Sequence, residues 1–409
     1  MNQRALSAAV DAPPLRLVGA DGPASADDHA DALIAAFMAA ADADNTVRTY
    51  ASAWRGFAAW CAEHGHTALP AAPRIAARYL AVCAADTERA LKKDTFTVWA
   101  AAIGRMHSGA GLPDPTADAT VRRTMRGIRR TQAGENPDQA PPITLEVLQD
   151  IVTHIHDHAG TWRQKVAARR DIALLVLMYA AALRRSEAVG LDIGHLRVVD
   201  GPAGTGRLRI RLHGSKASQT SAEDLYLKPG TTDALWCPWC ALIRWQVVLT
   251  AADQAAHTTR IRLRDEHGHT DDDPETSPAA DQIIDAVSIA VQRVIRTDDS
   301  DPHQHRCHDW PAPFRARARL FRPLSHGGIP HDADTALTGR SVDRLVAARA
   351  DAVGASGRGH SLHAGVATWM RDNGATRPAC KRCIRMNFIV SEGDRGCRSK
   401  PARGKRTRM

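Results

Sequence analysis

Apolar side chains recur at every third or fourth position through the first third of the chain, which is the spacing of one helix face. In the segment after Asn45–Thr46, which offers an N-cap, the predicted face consists of Val47, Tyr50, Trp54, Phe57 and Trp60. Similar patterns predict further helices over 28–43, from Pro73 onward, over 95–111 and over 120–132. We therefore predict an N-terminal helical domain over residues 28–132.

Apolar patterning resumes at Thr144, which is placed to cap a new helix. The longest apolar run, Ile172 to Leu183, predicts a core helix that breaks near Arg184. Residues 207–230 alternate, turn and alternate again, which predicts a β-hairpin or small sheet with Lys216 in or beside the turn. Further helices are predicted over 338–354 and from 359. The fold class is mainly α with a small β-sheet, or α+β.

Composition sets the domain limits. Residues 1–27 are rich in Ala, Pro, Gly and Asp and predict a disordered tail, and 133–142 has the composition of a linker. A second domain is expected over 143–380, followed by a basic, atypical tail over 381–409. Within it, 251–313 mixes an acidic stretch, a predicted amphipathic helix over 283–295 and a His-rich piece, and we interpret much of it as an insertion or long surface loop.

The charge of the 409-residue chain points to a polyanionic partner. The formal net charge is +9, which favours nucleic acid or an anionic membrane. The run from Ile172 to Leu183 is too short to span a bilayer, and the first 28 residues lack the pattern of a secretory signal. We expect a cytoplasmic protein with mostly reduced cysteines, and double-stranded DNA becomes the leading partner.

The predicted helix over 120–132 is very basic. Its arginines outnumber the nearby acids, and two interpretations stay open, a solvated face or a phosphate-contacting surface. The candidate DNA-binding residues are Arg122, Arg123, Arg126, Arg129 and Arg130.

Two Cys-x-x-Cys pairs, Cys237–Cys240 and Cys380–Cys383, raise the question of a metal. Their separation is far larger than in a zinc ribbon, so we do not expect a joint site. The His-rich run 303–308 could bind metal adventitiously, but we assign it to the surface insertion. Neither a metal nor a cofactor is predicted.

Several segments in a fixed order resemble the tyrosine recombinases, the phage-integrase family. The stretch ALRRSEAVGL (182–191) is similar to the first arginine box, and GHSLHAG (359–365) to the second, with Lys216 between them. CPWCALIRWQ, LFRPLSHGGIP and the N-terminal block are also similar. The resemblance covers roughly residues 30–375. It implies an N-terminal helical, SAM-like core-binding domain and a catalytic domain, which we expect to close around duplex DNA as a clamp.

The resemblance also implies a chemistry. Enzymes of this family attack a phosphodiester with a tyrosine hydroxyl, and arginines stabilise the charge that develops on the phosphate oxygens. Arg184 would be the first arginine, Lys216 the general acid and His360 the proton-handling histidine. Glu187 matches an acidic position that supports the first box, although it could simply pair with a neighbouring arginine. Arg184 and Lys216 also have ordinary interpretations, a helix-end charge and a solvated turn residue.

The sequence departs from the family pattern in two places. His363 stands where the second arginine belongs, and an imidazole cannot form the bidentate charged clamp of a guanidinium. The segment after Ala379 contains no tyrosine, and its apolar periodicity collapses, as a frameshifted 3′ end would produce. The tyrosines are Tyr50, Tyr79, Tyr179 and Tyr226. We therefore predict DNA integration and recombination chemistry that is lost or severely impaired.

Three alternatives stay open. A non-catalytic DNA-binding module could occupy recombination sites or regulate an active integrase. Another recombinase subunit could supply a tyrosine, since self-association or assembly on DNA is expected. A degenerate product that folds poorly is the third alternative.

Overall fold

The computed structural model describes residues 44–89, 91–131, 141–200, 206–212, 222–230, 233–267, 278–298 and 301–372. The chain divides into two compact units, with the boundary between Gln139 and Ala140. The predicted first helix over 28–43, the predicted tails 1–27 and 381–409, most of the predicted linker, and Lys216 lie outside the described residues.

The described part of the N-terminal unit is helical. Phe57 is fully buried and packs on Tyr79, with the ring centroids 5.2 Å apart. The aromatic face predicted from the sequence is confirmed around Phe57, but Val47 lies at its edge and is 37% exposed. Pro73 occupies the first turn of its helix, as predicted. The helices are α1 (Asp44–Glu63), α2 (Pro73–Ala85), α3 (Lys93–Gly109) and α4 (Ala119–Thr131).

The C-terminal unit is built around one buried helix. Ile172 through Leu183 are all buried, which confirms the predicted core helix, and Thr144 caps α5 by accepting a hydrogen bond from the Val147 amide. The helices are α5 (Leu145–Asp157), α6 (Trp162–Ala180), α7 (Arg185–Val189), α8 (Pro238–His267), α9 (Pro278–Thr297), α10 (Gly339–Asp351) and α11 (Gly359–Asp372). The mainly α architecture with a small sheet is confirmed.

The predicted hairpin is confirmed as part of a three-stranded antiparallel sheet. Its strands are β1 (Leu196–Asp200), β2 (Gly206–Leu212) and β3 (Glu223–Leu227), in that order across the sheet. Leu208 pairs with Leu227 and Ile210 with Leu225, and all four side chains are buried on one face. The alternation in β2 therefore leaves the opposite face to its arginines.

One interpretation from the sequence needs correction. Residues 251–313 are not mainly a surface loop in their described part, because α8 continues to His267 and α9 packs against it. Asp253, on α8, forms a buried ion pair with Arg322 at 2.7 Å. The predicted amphipathic helix over 283–295 is confirmed and buries Val287 and Val291. The sequence did not predict that α8, whose last turns are rich in charged residues, continues to His267. That the segment is an insertion stays a prediction.

A search of the described helices finds none that is both long and apolar enough to span a bilayer.

Candidate functional site

A sharp turn after α6 places Arg184. The helix ends at Ala180, and the Leu183 amide donates back to the Met178 carbonyl oxygen at 2.8 Å. Ala182 has a φ of 47°, in the left-handed region that costs a non-glycine residue roughly 1–2 kcal/mol. The chain then leaves the core in an extended conformation at Arg184, directly before α7.

Glu187 holds Arg184 at this position. One of its carboxylate oxygens accepts a hydrogen bond from the Arg184 backbone amide, and the other accepts one from the guanidinium, both at 2.9 Å. The Glu187 side chain is only 6% exposed, whereas that of Arg184 is 34% exposed. Glu187 therefore pairs with Arg184 itself and positions its guanidinium at the surface.

A second carboxylate joins the two boxes. The Arg185 guanidinium forms an ion pair with Asp343 of α10. The other oxygen of Asp343 accepts a hydrogen bond from the Gly359 amide at 3.1 Å, at the start of α11. A side-chain carbon at Gly359 would lie 3.5 Å from Arg185 Cβ. Asp343 thus holds Arg185, which follows Arg184, close to Gly359, which precedes His360.

The two histidines of the second box lie on α11. The imidazole rings of His360 and His363 are nearly parallel, with centroids 5.8 Å apart and an interplanar angle of 11°. His360 is exposed and His363 is half-buried. Each imidazole offers at most one N–H to a given oxygen, so the pair provides proton-handling groups but no planar fork of donors.

Backbone packing fixes the helix that carries these histidines. The Ile143 amide donates to the Ser361 carbonyl oxygen at 3.0 Å. A Cβ at Gly365 would overlap the Ile143 carbonyl oxygen, so glycine permits this close approach. Leu362 and Val366 are fully buried.

The described tyrosines differ in access to solvent. Tyr79 and Tyr179 are buried, and burial raises the pKa of both phenols above the usual value. Tyr50 is half-buried on α1. Tyr226 is 38% exposed and pairs across the sheet with Arg209. Lys216 lies outside the described residues, beyond the last ladder pair of β2 and β3.

The basic helix α4 has two distinct faces. Val121, Met125 and Ile128 are buried in the N-terminal unit. All the candidate arginines lie on the exposed face, and none of them forms an ion pair with an acidic side chain in the described ranges: Arg122, Arg123, Arg126, Arg129 and Arg130. Hydrogen bonds from Thr120 lower the pKa of the Asp118 carboxyl and nearby Arg122 contributes to this shift, although the two side chains form no close ion pair. The exposed face therefore keeps an excess of positive charge, which favours the phosphate-contacting interpretation.

A second basic surface was missed by sequence reasoning. Arg207, Arg209 and Arg211 lie on the face of β2 opposite the buried leucines, and Arg197 of β1 is in register with Arg209. The Nε atoms of Arg207 and Arg209 are buried without an acceptor among the described residues. The alternation of RLRIRL, which predicted the strand, could also have predicted this face.

One group of possible metal ligands occurs in the described part of the chain. It consists of Cys237, Cys240, His305 and Cys307, whose ligand atoms all lie within 4.8 Å of one another. The sequence identified Cys237–Cys240 but compared it only with Cys380–Cys383, which lies outside the described residues. No local spacing reveals that a segment 65 residues later supplies the partners.

Comparisons with known proteins identify two recombinases among the relatives of this chain. The chain is 32% identical over 206 residues to an integrase/recombinase XerD homolog of Selenomonas ruminantium, which covers 50% of this chain and 56% of that relative. It is 25% identical over 290 residues to the recombinase Cre of Escherichia phage P1, covering 70% and 78%. No protein-family model matches the chain. Both relatives are named recombinases, and the chain spans little more than half the length of the first. This likeness agrees with the resemblance to tyrosine recombinases found in the sequence.

Proposed function

We propose that the protein is a DNA-binding, integrase-like recombinase whose strand-cleavage chemistry is impaired. The observation that carries this proposal is the junction at Asp343, which holds the two boxes side by side. Double-stranded DNA is the proposed substrate, and assembly with further recombinase subunits on DNA is part of the proposal.

The proposed reaction assigns one role to each site residue. A tyrosine hydroxyl attacks phosphorus, a phosphotyrosine bond forms, and the bond to the 5′ oxygen breaks. Arg184, oriented by Glu187, stabilises charge on the non-bridging oxygens. His360 handles the proton of the nucleophile, and Lys216 gives a proton to the leaving oxygen.

His363 weakens this arrangement. Where the family pattern has its second arginine, this chain has an imidazole, which is shorter and makes one hydrogen bond to a given oxygen. Losing one charge-assisted contact in the transition state costs about 3 kcal/mol, or a few hundredfold in rate.

The nucleophile is the second weakness. Tyr79 and Tyr179 are buried, so neither hydroxyl is available to DNA without a rearrangement. Tyr50 and Tyr226 lie on α1 and β3, far in sequence from the second box that the family's nucleophile follows. We propose that cleavage, where it occurs, uses a tyrosine from another recombinase subunit.

DNA binding is proposed to depend on the exposed arginines of α4 and on the basic face of β2, where Arg211 is exposed and Arg207 and Arg209 are half-buried. The test is equilibrium binding to a duplex that carries the ends of the protein's own genetic element, measured over a range of salt concentrations. The log affinity should fall linearly with log salt, with a slope of about −0.9 for each phosphate contact. Replacing Arg122, Arg126 and Arg130 by alanine should make the slope shallower by about 2 to 3.

Arg89→Ala is the matched control in the same unit, because Arg89 already pairs with Asp86 at 3.5 Å. It should leave the slope nearly unchanged. A log affinity that is flat against log salt in the unmodified protein would contradict the proposal.

The alternative is a non-catalytic module that occupies recombination sites or regulates an active integrase. The basic faces favour this alternative as much as they favour a recombinase, because binding requires neither Arg184 nor Lys216. The two functions differ in one product. A recombinase forms a covalent bond between protein and DNA, and a binding module does not.

A further inference from the structure

The beginning of α8 and the segment that follows α9 meet in a cluster of sulfur and imidazole groups. Cys237 directly precedes α8, and Cys240 lies in its first turn, so the Cys-x-x-Cys spacing brings both thiols to one side of the helix end. His305 and Cys307 lie on the irregular segment after α9. We propose that these side chains bind one zinc ion that fastens this segment to α8. The proposal does not depend on the recombinase function.

The separations match a tetrahedral ion. The Cys307 sulfur lies 3.5 Å from the sulfurs of both Cys237 and Cys240. The Nδ1 atom of His305 lies 3.6 Å from the sulfurs of Cys240 and Cys307. Zn–S bonds of about 2.3 Å and Zn–N bonds of about 2.05 Å at tetrahedral angles give S···S edges of about 3.8 Å and S···N edges of about 3.6 Å.

The surroundings fit ligating thiolates. The Gly230 amide donates to the Cys237 sulfur at 3.3 Å, and the Arg306 amide donates to the Cys240 sulfur at 3.2 Å. Such donors offset the negative charge that sulfur carries when it binds metal. A Cβ at Gly230 would lie only 3.1 Å from the Cys237 sulfur, so the absence of a side chain allows this amide to approach.

The geometry does not describe a disulfide. A disulfide requires sulfurs about 2.05 Å apart, whereas Cys307 is 3.5 Å from either partner. Cys237 and Cys240 are buried and Cys307 is half-buried, as free thiols. Four protein ligands of the type Cys3His close the coordination sphere, which is typical of structural zinc and leaves no position for a substrate.

Other contacts bring the same segment to the same place. The Arg244 guanidinium, on α8, donates to the carbonyl oxygen of Pro302 at 2.9 Å. His303 pairs with Asp233 at 2.6 Å, and the rings of Trp239 and Trp310 meet edge to face. The ion would therefore cross-link the exit of β3, the first turn of α8 and the segment around 305, which no regular element holds in place.

The test measures bound metal in full-length protein without a histidine tag, purified under reducing conditions and exchanged into metal-free buffer. Elemental analysis should find about one zinc ion per chain. Cys240→Ser, Cys307→Ser and His305→Ala should each lower this to less than about a fifth. His305→Cys should keep the zinc because it restores a fourth ligand, and this variant separates loss of a ligand from loss of folding.

Matched controls lie close by. His308→Ala removes a histidine of the same run, which pairs with the adjacent Asp309, and Cys61→Ser removes a buried thiol of the other unit. The double variant of Cys380 and Cys383 removes the rival pair. All three should retain zinc. Cobalt loaded in place of zinc should show the intense visible absorption of a tetrahedral sulfur-ligated site.

Three results would overturn the proposal. The first is reduced protein without stoichiometric zinc. The second is zinc that survives Cys307→Ser or disappears with His308→Ala, which would mean adventitious binding by the His-rich run. The third is zinc that is lost with the Cys380 and Cys383 double variant, which would assign the metal to the other pair.

Discussion

Arg184 and His363 stand at the two positions that we propose for the arginines of the site, and their surroundings differ. At the first position, Glu187 accepts two hydrogen bonds from Arg184 and orients its guanidinium. At the second, α11 is packed through Gly365, Leu362 and Val366, and the half-buried side chain at 363 is an imidazole. The residues that pack α11 therefore differ from the residue at position 363, so the packing of this helix and the chemistry at 363 can be tested separately.

Gly365→Ala tests the packing of α11 against Ile143 and, among the variants, should have the largest effect on stability. The new Cβ would meet the backbone of Ile143, which cannot move aside as a flexible side chain can. We expect a loss of about 3 kcal/mol in the free energy of unfolding. In a unit of this size, that lowers Tm by roughly 6–12 °C in a thermal melt.

Gly127→Ala is its control, since Gly127 lies on exposed α4 with open space around it. This change should raise the free energy of unfolding by about 0.4–1 kcal/mol. Equal stability of the Gly365→Ala variant and the unmodified protein would show that α11 is not held as described.

Glu187→Gln tests the first box and should have an intermediate effect. The amide keeps the shape but cannot accept from both the backbone and the guanidinium of Arg184. We expect a loss of about 1–3 kcal/mol in urea unfolding. Glu266→Gln, which breaks the exposed pair with Arg262, should cost about 0.5 kcal/mol or less.

A double-mutant cycle separates positioning from simple stability. If Glu187 acts through Arg184, adding Glu187→Gln to Arg184→Ala should reduce DNA affinity no further than Arg184→Ala alone. Additive losses in DNA affinity would contradict that role.

His363→Arg tests the altered position and should have the smallest effect. One added guanidinium should steepen the dependence of log affinity on log salt by about 0.9. His360→Arg, one turn earlier and more exposed, is the matched control for added charge alone. If both variants behave alike, position 363 has no special relation to the phosphate.

The sequence predicted the elements that depend on local patterning. Alternation revealed β2 and β3, and the apolar run revealed α6, because both periodicities are properties of neighbouring residues. Strand β1 was not predicted, since its sequence LRVVD places two valines side by side and shows no alternation.

The parts that were missed depend on contacts between distant segments. The Asp343 junction connects residues 158 positions apart, and the His305 and Cys307 ligands approach Cys240 across more than 60 positions. The composition of 251–313 suggested a loop outside the predicted helix over 283–295 because charged residues dominate the end of α8. Such arrangements follow from tertiary packing, which spacing along the chain does not encode.

The most direct test of the central claim uses a nicked suicide substrate with the element's own ends. Binding and covalent attachment are measured in the same samples, before and after denaturation. We predict salt-sensitive binding without a denaturant-resistant adduct, both for this chain and for His363→Arg, which still lacks a suitably placed tyrosine. An adduct that maps to Tyr50, Tyr79, Tyr179 or Tyr226 would contradict the account and identify the nucleophile.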